Sequence, residues 1–253
     1  MVVDYKNWMP KGMILGTAVA GAAAALLCLL VPFRPVRIAS GILCVLLFAA
    51  AGWMFAMYRA FDYHGKRQMS RQIIEGVAGY VNVPEGGKCL DIGCGSGALS
   101  IACAKRNPKA QITGLDRWGK EYASFSQKLC ERNAVAEGVA NVRFVQGDAV
   151  SLDFPDESFD AVTSNYVYHN IPSKDRQEII LETLRVLKKG GTFAIHDIFS
   201  SIKYGDMTRF VQKLKERGYQ EVKLIPTCNG MFMSSREAVW MQLKGSAILT
   251  GKK

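Results

Sequence analysis

The sequence predicts an α/β protein, a mostly parallel sheet with helices on both faces, behind a hairpin of two membrane-spanning helices. Three observations predict it. Two uncharged apolar stretches of bilayer-crossing length stand near the N-terminus. From about residue 86, short apolar runs alternate with helical patterns, the order that builds a parallel sheet. Leu90-Asp91-Ile92-Gly93-Cys94-Gly95-Ser96-Gly97 joins the first run to the first helix. Glycines there permit a tight turn and let backbone N–H groups approach a ligand.

The apolar stretches are Met13–Val31 and Ile38–Tyr58, each near the roughly 20 residues a helix needs to cross a bilayer. The intervening segment 32–37, with Pro32, Pro35, Arg34 and Arg37, reads as a tight polar turn. A cleaved signal peptide is the competing reading of the first stretch, but its apolar run is long and a second follows at once. Lys6, Lys11, Arg59, Lys66, Arg67 and Arg71 flank the pair, against Arg34 and Arg37 between them. That asymmetry places both ends, and the large domain, on the cytoplasmic side of the cell membrane. The expected organisation is an anchor over residues 1–59 with spans 13–31 and 38–58, a linker and lid helix over 60–85, and an α/β domain over 86–253.

The 253 residues are 49% hydrophobic and 21% charged, which excludes a disordered chain. Residues 1–71 hold eight Lys/Arg against two Asp/Glu, and residues 72–253 twenty-four against twenty. Excess basicity beside apolar stretches points to anionic lipid rather than to nucleic acid. Seven scattered cysteines without a C-x-x-C pair, and only three histidines, give no metal-ligand spacing, so no metal is expected.

After an amphipathic helix over Arg67–Val81, Val83–Gly87 breaks the pattern. Strands are expected at Lys88–Gly93, Gln111–Asp116, Val142–Gln146, Asp160–Ser164, Thr192–His196, Glu221–Ile225 and Ser246–Leu249. Helices are expected at Ala98–Lys105, about Lys120 to Ala136, Lys174–Leu187 and Met207–Arg217. Ile179, Ile180, Leu184 and Leu187 fall on one face of the third of these.

The glycine turn alone is ambiguous, since Gly93, Gly95 and Ala98 also fit a dinucleotide pattern. Three carboxylates separate the alternatives. Asp91 would oppose a pyrophosphate but suits an ammonium group. Asp116 ends the second strand, where a carboxylate takes ribose hydroxyls. Asp148, in Gly147-Asp148-Ala149 after the third strand, suits an adenine amino group. The ligand indicated has an amino-acid end, a ribose and an adenine.

At these residues the chain resembles class I S-adenosylmethionine-dependent methyltransferases. Leu90–Gly97 is similar to their motif I, Asp116 to the acidic motif II position and Gly147–Ala149 to the adenine-site motif. Phe159–Val162 is similar to the fourth-strand motif, and Arg185-Val186-Leu187-Lys188-Lys189-Gly190-Gly191 to the turn before the fifth strand, with Lys189 replacing proline. The matches run in family order over about residues 86–199. Within the family the chain looks closest to the ubiquinone/menaquinone and sterol branch, and to bacterial members with a membrane hairpin. The resemblance implies a Rossmann-like seven-stranded sheet with an antiparallel last strand, and S-adenosylmethionine as cofactor. Its binding residues would be Asp91, Gly93, Gly95, Gly97, Asp116, Arg117, Asp148, Ala149 and Asn165.

Methyl transfer from a sulfonium is an in-line displacement that needs alignment and exclusion of water. The C-terminal end of the fourth strand should lie beside the methyl group. Tyr166 and Tyr168 are then candidates to line the acceptor pocket. His169 is the candidate base, or else it satisfies the start of the following helix. His196-Asp197, ending the fifth strand, is a second rim candidate. In related enzymes the N-terminal helix lids the site, so Tyr63, His64 or Arg67 is expected at the cofactor or acceptor, or else residues 61–67 form a basic membrane-surface linker. Asn165-Tyr166-Val167-Tyr168 lacks both prolines of the motif used on DNA bases and glutamine. The expected acceptor is a small, lipophilic molecule, and the other expected partner is the bilayer. An NAD(P)-dependent oxidoreductase and a non-catalytic cofactor-binding protein are the alternatives.

Overall fold

The computed structural model describes residues 2–119 and 124–253 and divides into two compact units, Lys6–Arg71 and the residues up to Tyr5 together with Gln72–Lys253.

The first unit is a helical hairpin, α1 (Lys11–Leu30) and α2 (Arg34–Phe61). Both helices are long and apolar enough to cross a membrane, and large apolar side chains such as Leu15, Val19, Leu29, Val45 and Leu46 stand exposed along them. Small residues let the helices approach: a Cβ on Gly21 would lie 3.3 Å from Phe48 and one on Gly41 3.2 Å from Cys28 Sγ,. The connection is shorter than the polar turn expected over 32–37. Arg34, Pro35 and Arg37 are already helical, because proline in a first turn forfeits no helical hydrogen bond. Below the hairpin, Asn7 Nδ2 donates to Tyr58 O over 2.8 Å, and the Trp8 ring meets Phe61 edge on.

The second unit is a seven-stranded sheet, β1 (Lys88–Ile92), β2 (Gln111–Asp116), β3 (Val142–Gln146), β4 (Phe159–Asn165), β5 (Leu187–Ile198), β6 (Gln220–Pro226) and β7 (Ser246–Lys252). The strand order is β3-β2-β1-β4-β5-β7-β6, and β7 alone runs antiparallel to its neighbours. This is the Rossmann-like sheet with an antiparallel last strand. The helices are α3 (Met69–Ala78), α4 (Ala98–Arg106), α5 (Gln127–Ala136), α6 (Arg176–Arg185), α7 (Ser201–Tyr204), α8 (Met207–Glu216) and α9 (Ser235–Trp240).

Side chains alternate across a strand, and β1 shows the consequence. Leu90 and Ile92 join the core formed with Ile180 and Leu184 of α6 and Phe210 and Leu214 of α8. Asp91 faces the other side and meets Ser100 of α4. β5 starts at Leu187, earlier than Thr192, with an irregular register between Phe159 and Ala161 of its partner β4. The helix expected from about Lys120 starts at Gln127, capped by the Ser126 side chain; Lys120 itself lies outside the described residues. α7 and α9 have no counterpart in the sequence reading. Arg185, from the turn motif, is structural: its guanidinium donates to Leu152 O, Phe154 O, Glu182 and Asp156.

Gly114, in the middle of β2, shows how closely α4 sits on the sheet. A Cβ there would lie 2.6 Å from Ser100 Oγ and 2.7 Å from Phe144. Gly114→Val is therefore expected to cost about 1–3 kcal/mol or more through overpacking, read as a lowered urea midpoint at unchanged slope.

Candidate functional site

The connections leaving the C-terminal ends of the parallel strands converge on one rim, where open α/β sheets bind ligands. β1 leaves the sheet through Gly93, Gly95 and Gly97, all at positive φ. Leu115 O accepts N–H bonds from Gly93 (2.7 Å) and Cys94 (3.0 Å). A Cβ on Gly93 would lie 2.3 Å from Val167 Cγ2, whereas at Gly95 the nearest atoms, on Phe125, are 3.9 Å away. The loop is thus closed at Gly93 and open at Gly95. α4 then starts at Ala98 behind Gly97, which supplies no side-chain cap, leaving the first N–H groups of the helix to meet an acceptor.

Two carboxylates frame this loop. Asp91 is buried and accepts the Ser100 hydroxyl over 2.5 Å. Burial pushes its pKa up to about 7; the Ser100 bond pulls it back and the Asp116 charge raises it further. Asp116, ending β2, accepts N–H bonds from Gly95 (2.8 Å) and Trp118 (2.7 Å), and Trp118 Nε1 donates to Gly95 O. Arg117 is exposed and its carbonyl accepts from Gln146. Past β3, Asp148 is exposed, its Oδ1 accepting only the nearby Val150 N–H among the described bonds, and Ala149 is buried.

The second half of the rim lies where β4 and β5 end. Tyr166, at φ 56°, donates its N–H to His196 O and shares a 2.8 Å hydroxyl contact with Ser246. His169, on a 3-10 turn over Tyr168–Asn170, places Nδ1 2.5 Å from Asp197 Oδ1. Asp197 is fully buried and its other oxygen accepts the N–H groups of Tyr168 (2.8 Å) and His169 (3.3 Å). Burial works to raise the Asp197 pKa, but the His169 ring and the N–H donors, Ile198 included, hold it below the ordinary carboxylate value. An ionised Asp197 fixes His169 as the tautomer with its proton on Nδ1, so Nε2 keeps its lone pair. The Tyr166 ring stands edge on to His169, centroids 6.0 Å apart.

Two expected pocket residues sit elsewhere. Tyr168 is fully buried in the core with its hydroxyl 2.7 Å from Thr183 Oγ1. The residue packs the sheet and lines no rim. His196 is fully buried too, Nδ1 2.7 Å from Asn165 Oδ1 and Nε2 2.9 Å from Thr227 Oγ1. Burial drives its pKa down to about 3, so it is a neutral internal strut that takes up the Asn165 side chain. Tyr63 belongs to the hairpin unit, where its ring meets His64 edge on. The sequence reading placed His196-Asp197 at the rim as a pair, and the structure brings only Asp197 to His169. The strand alternation that hides His196 turns Asp197 to the opposite face, and that parity was the available signal.

Residues 90–195 match the methyltransferase domain family. Curated relatives include the demethylmenaquinone methyltransferases of Geobacillus kaustophilus, 36% identical over 118 residues, and of Listeria monocytogenes, 36% identical over 121 residues. Each alignment covers 46% of this chain and 47% of the relative, so the chain spans about half the length of the curated relatives it matches. Among solved structures, the [4+2]-cyclase SpnF aligns with TM-score 0.55 at 21% identity, over 76% of this chain and 84% of that one. It shares the fold; reaction chemistry has to be argued from the site.

The two buried aspartates predict opposite pH effects. Asp91 carries a raised pKa, so its ionisation disfavours the folded state as pH rises from the ordinary 3.8 towards about 7,. Asp197 carries a lowered one, so its contribution is present above the ordinary carboxylate value and is lost as pH falls through the lowered value,. The ligand-free Asp91→Asn variant should lose less stability than wild type between pH 4 and 7 in urea melts; an identical slope would disprove the assignment.

Proposed function

With a methyltransferase domain over residues 90–195, we propose that this chain is a membrane-anchored S-adenosylmethionine-dependent methyltransferase acting on a lipophilic, quinone-type acceptor, with its catalytic domain on the cytoplasmic side. The observation that carries it is the charge of the cofactor rim. Asp91, Asp116 and Asp148 stand at or just beyond the ends of β1, β2 and β3, around a glycine loop open at Gly95. Carboxylates there repel a pyrophosphate and suit an ammonium, a pair of ribose hydroxyls and an adenine amino group. The residues fit the cofactor, whose sulfonium supplies the methyl group when bound.

The chain's own residues would divide the work. Asp91 balances the ammonium charge, buried where that charge is worth most. Asp116 keeps lone pairs beyond the two it gives to Gly95 and Trp118. Gly93, Gly95 and Gly97 let the backbone approach, Arg117 and Ala149 flank the nucleoside side, and Asn165 borders the reacting centre. Tyr166 walls the acceptor side. His169 Nε2 takes the proton of an acidic hydroxyl or carbon acceptor, and Asp197 stabilises the imidazolium that forms.

Support for the acceptor class comes from the relatives, which are named for demethylmenaquinone, and from α1 and α2. A site tethered to a bilayer meets membrane-dissolved molecules at raised local concentration. The six flanking and two intervening basic residues support the orientation,.

Calorimetry on detergent-purified protein tests the cofactor. S-adenosylhomocysteine should bind saturably, and Asp116→Ala should lose about 1 kcal/mol or more; binding of NAD instead would overturn the reading. Below about pH 7, binding should release a proton as the ligand ammonium ionises Asp91, seen as a heat that depends on the buffer,. With a quinol acceptor, His169→Ala should lower turnover by roughly 10²-fold or more without changing cofactor affinity.

A further inference from the structure

Residues 2–5, ahead of the hairpin, fold with the α/β unit, and their contacts lead to the glycine loop. Asn133, on α5, is 1% exposed. Its Oδ1 accepts the Asp4 N–H over 2.9 Å, and its Nδ2 donates to Asp4 O and to Ser96 O, each over 3.0 Å. Both amide protons are thereby used, one on the strap and one on the loop. Next to it the Tyr5 ring is buried, with its hydroxyl donating to Glu137 at the end of α5 over 3.0 Å. Lys105 of α4 grips the same carboxylate.

We propose that Asn133 is a positioning residue for the cofactor loop and that the N-terminal strap, through the Asp4 backbone, holds it in place. The inference rests on the cofactor reading of that loop. Ser96 O lies one residue beyond the open Gly95, and its bond to Asn133 fixes the loop's exit into α4. Without the strap, a buried amide would keep an unpaired proton and an unpaired oxygen. Turning to regain partners in water would release Ser96 O, and the loop would then be ordered at the expense of cofactor binding. The Asn133–Asp4 contact is to the backbone, so it requires a main-chain N–H and C=O at residue 4.

Asp4→Pro removes that N–H without touching the loop. In the full-length, detergent-purified protein, calorimetry with S-adenosylhomocysteine should show affinity lowered about tenfold, the factor that one ordinary hydrogen bond is worth. Asn133→Ala should weaken binding at least as much. Hydrogen exchange at the amides of residues 93–97 should quicken in Asp4→Pro while β4 and β5 stay protected, a signature that general destabilisation would not give. Wild-type affinity and wild-type loop exchange in folded Asp4→Pro would overturn the proposal even if Asn133→Ala failed to fold. Absence of binding in the wild type would instead defeat the methyltransferase reading, and this inference with it.

Discussion

No atom can be added between Gly93 and Val167. The turn that leaves β1 and the turn that leaves β4 touch where a single methyl group would collide, so the two halves of the rim share a wall. Ser164 ties the same strands together lower down by donating to Ile92 O, and Tyr166 continues the β4–β5 ladder through its N–H to His196 O. From there the chain passes into the 3-10 turn that delivers His169 to Asp197. The glycine loop and the His169 imidazole are thus placed by one unbroken set of short contacts. Reactions that need alignment of two bound molecules depend on such rigidity.

Asp91 and Asp197 are the same residue type, both buried at strand ends, with opposite electrostatics. Asp91 is met by the hydroxyl and the backbone N–H of Ser100 and has a neighbouring negative charge. Asp197 is met by the His169 ring and by the N–H groups of Tyr168, His169 and Ile198. One carboxylate is satisfied within the fold and fixes a tautomer. The other is left short of positive charge in a place where water does not reach it, the condition under which an incoming cation is bound most strongly.

Most of the sheet was legible because parallel strands are buried on both faces and read as short apolar runs. The start of β5 was not, since Lys188, Lys189 and Gly190 interrupt the apolar run there. α7 and α9 were not, because four and six residues are too few to show a helical period. The glycine loop and its acidic partners were visible as motifs. Tyr168 and His196 were misplaced for one reason: their residue types suggest chemistry, and only the direction of the side chain shows that each fills the interior. The strap was invisible, since Asn133 binds the backbone of a residue 129 positions away and leaves no pattern between side chains.

Residues before Lys6 and after Arg71 belong to one folded unit, which makes the hairpin an insertion within it. Ribosomal synthesis therefore produces the strap first and its partner α5 long after both apolar helices have emerged. Until α5 is made, the segment has no Asn133 to meet. The two ends of the insertion, Lys6 and Arg71, have to come back to one folded unit before residues 2–5 can meet Asn133, so the strap closes only behind a finished hairpin.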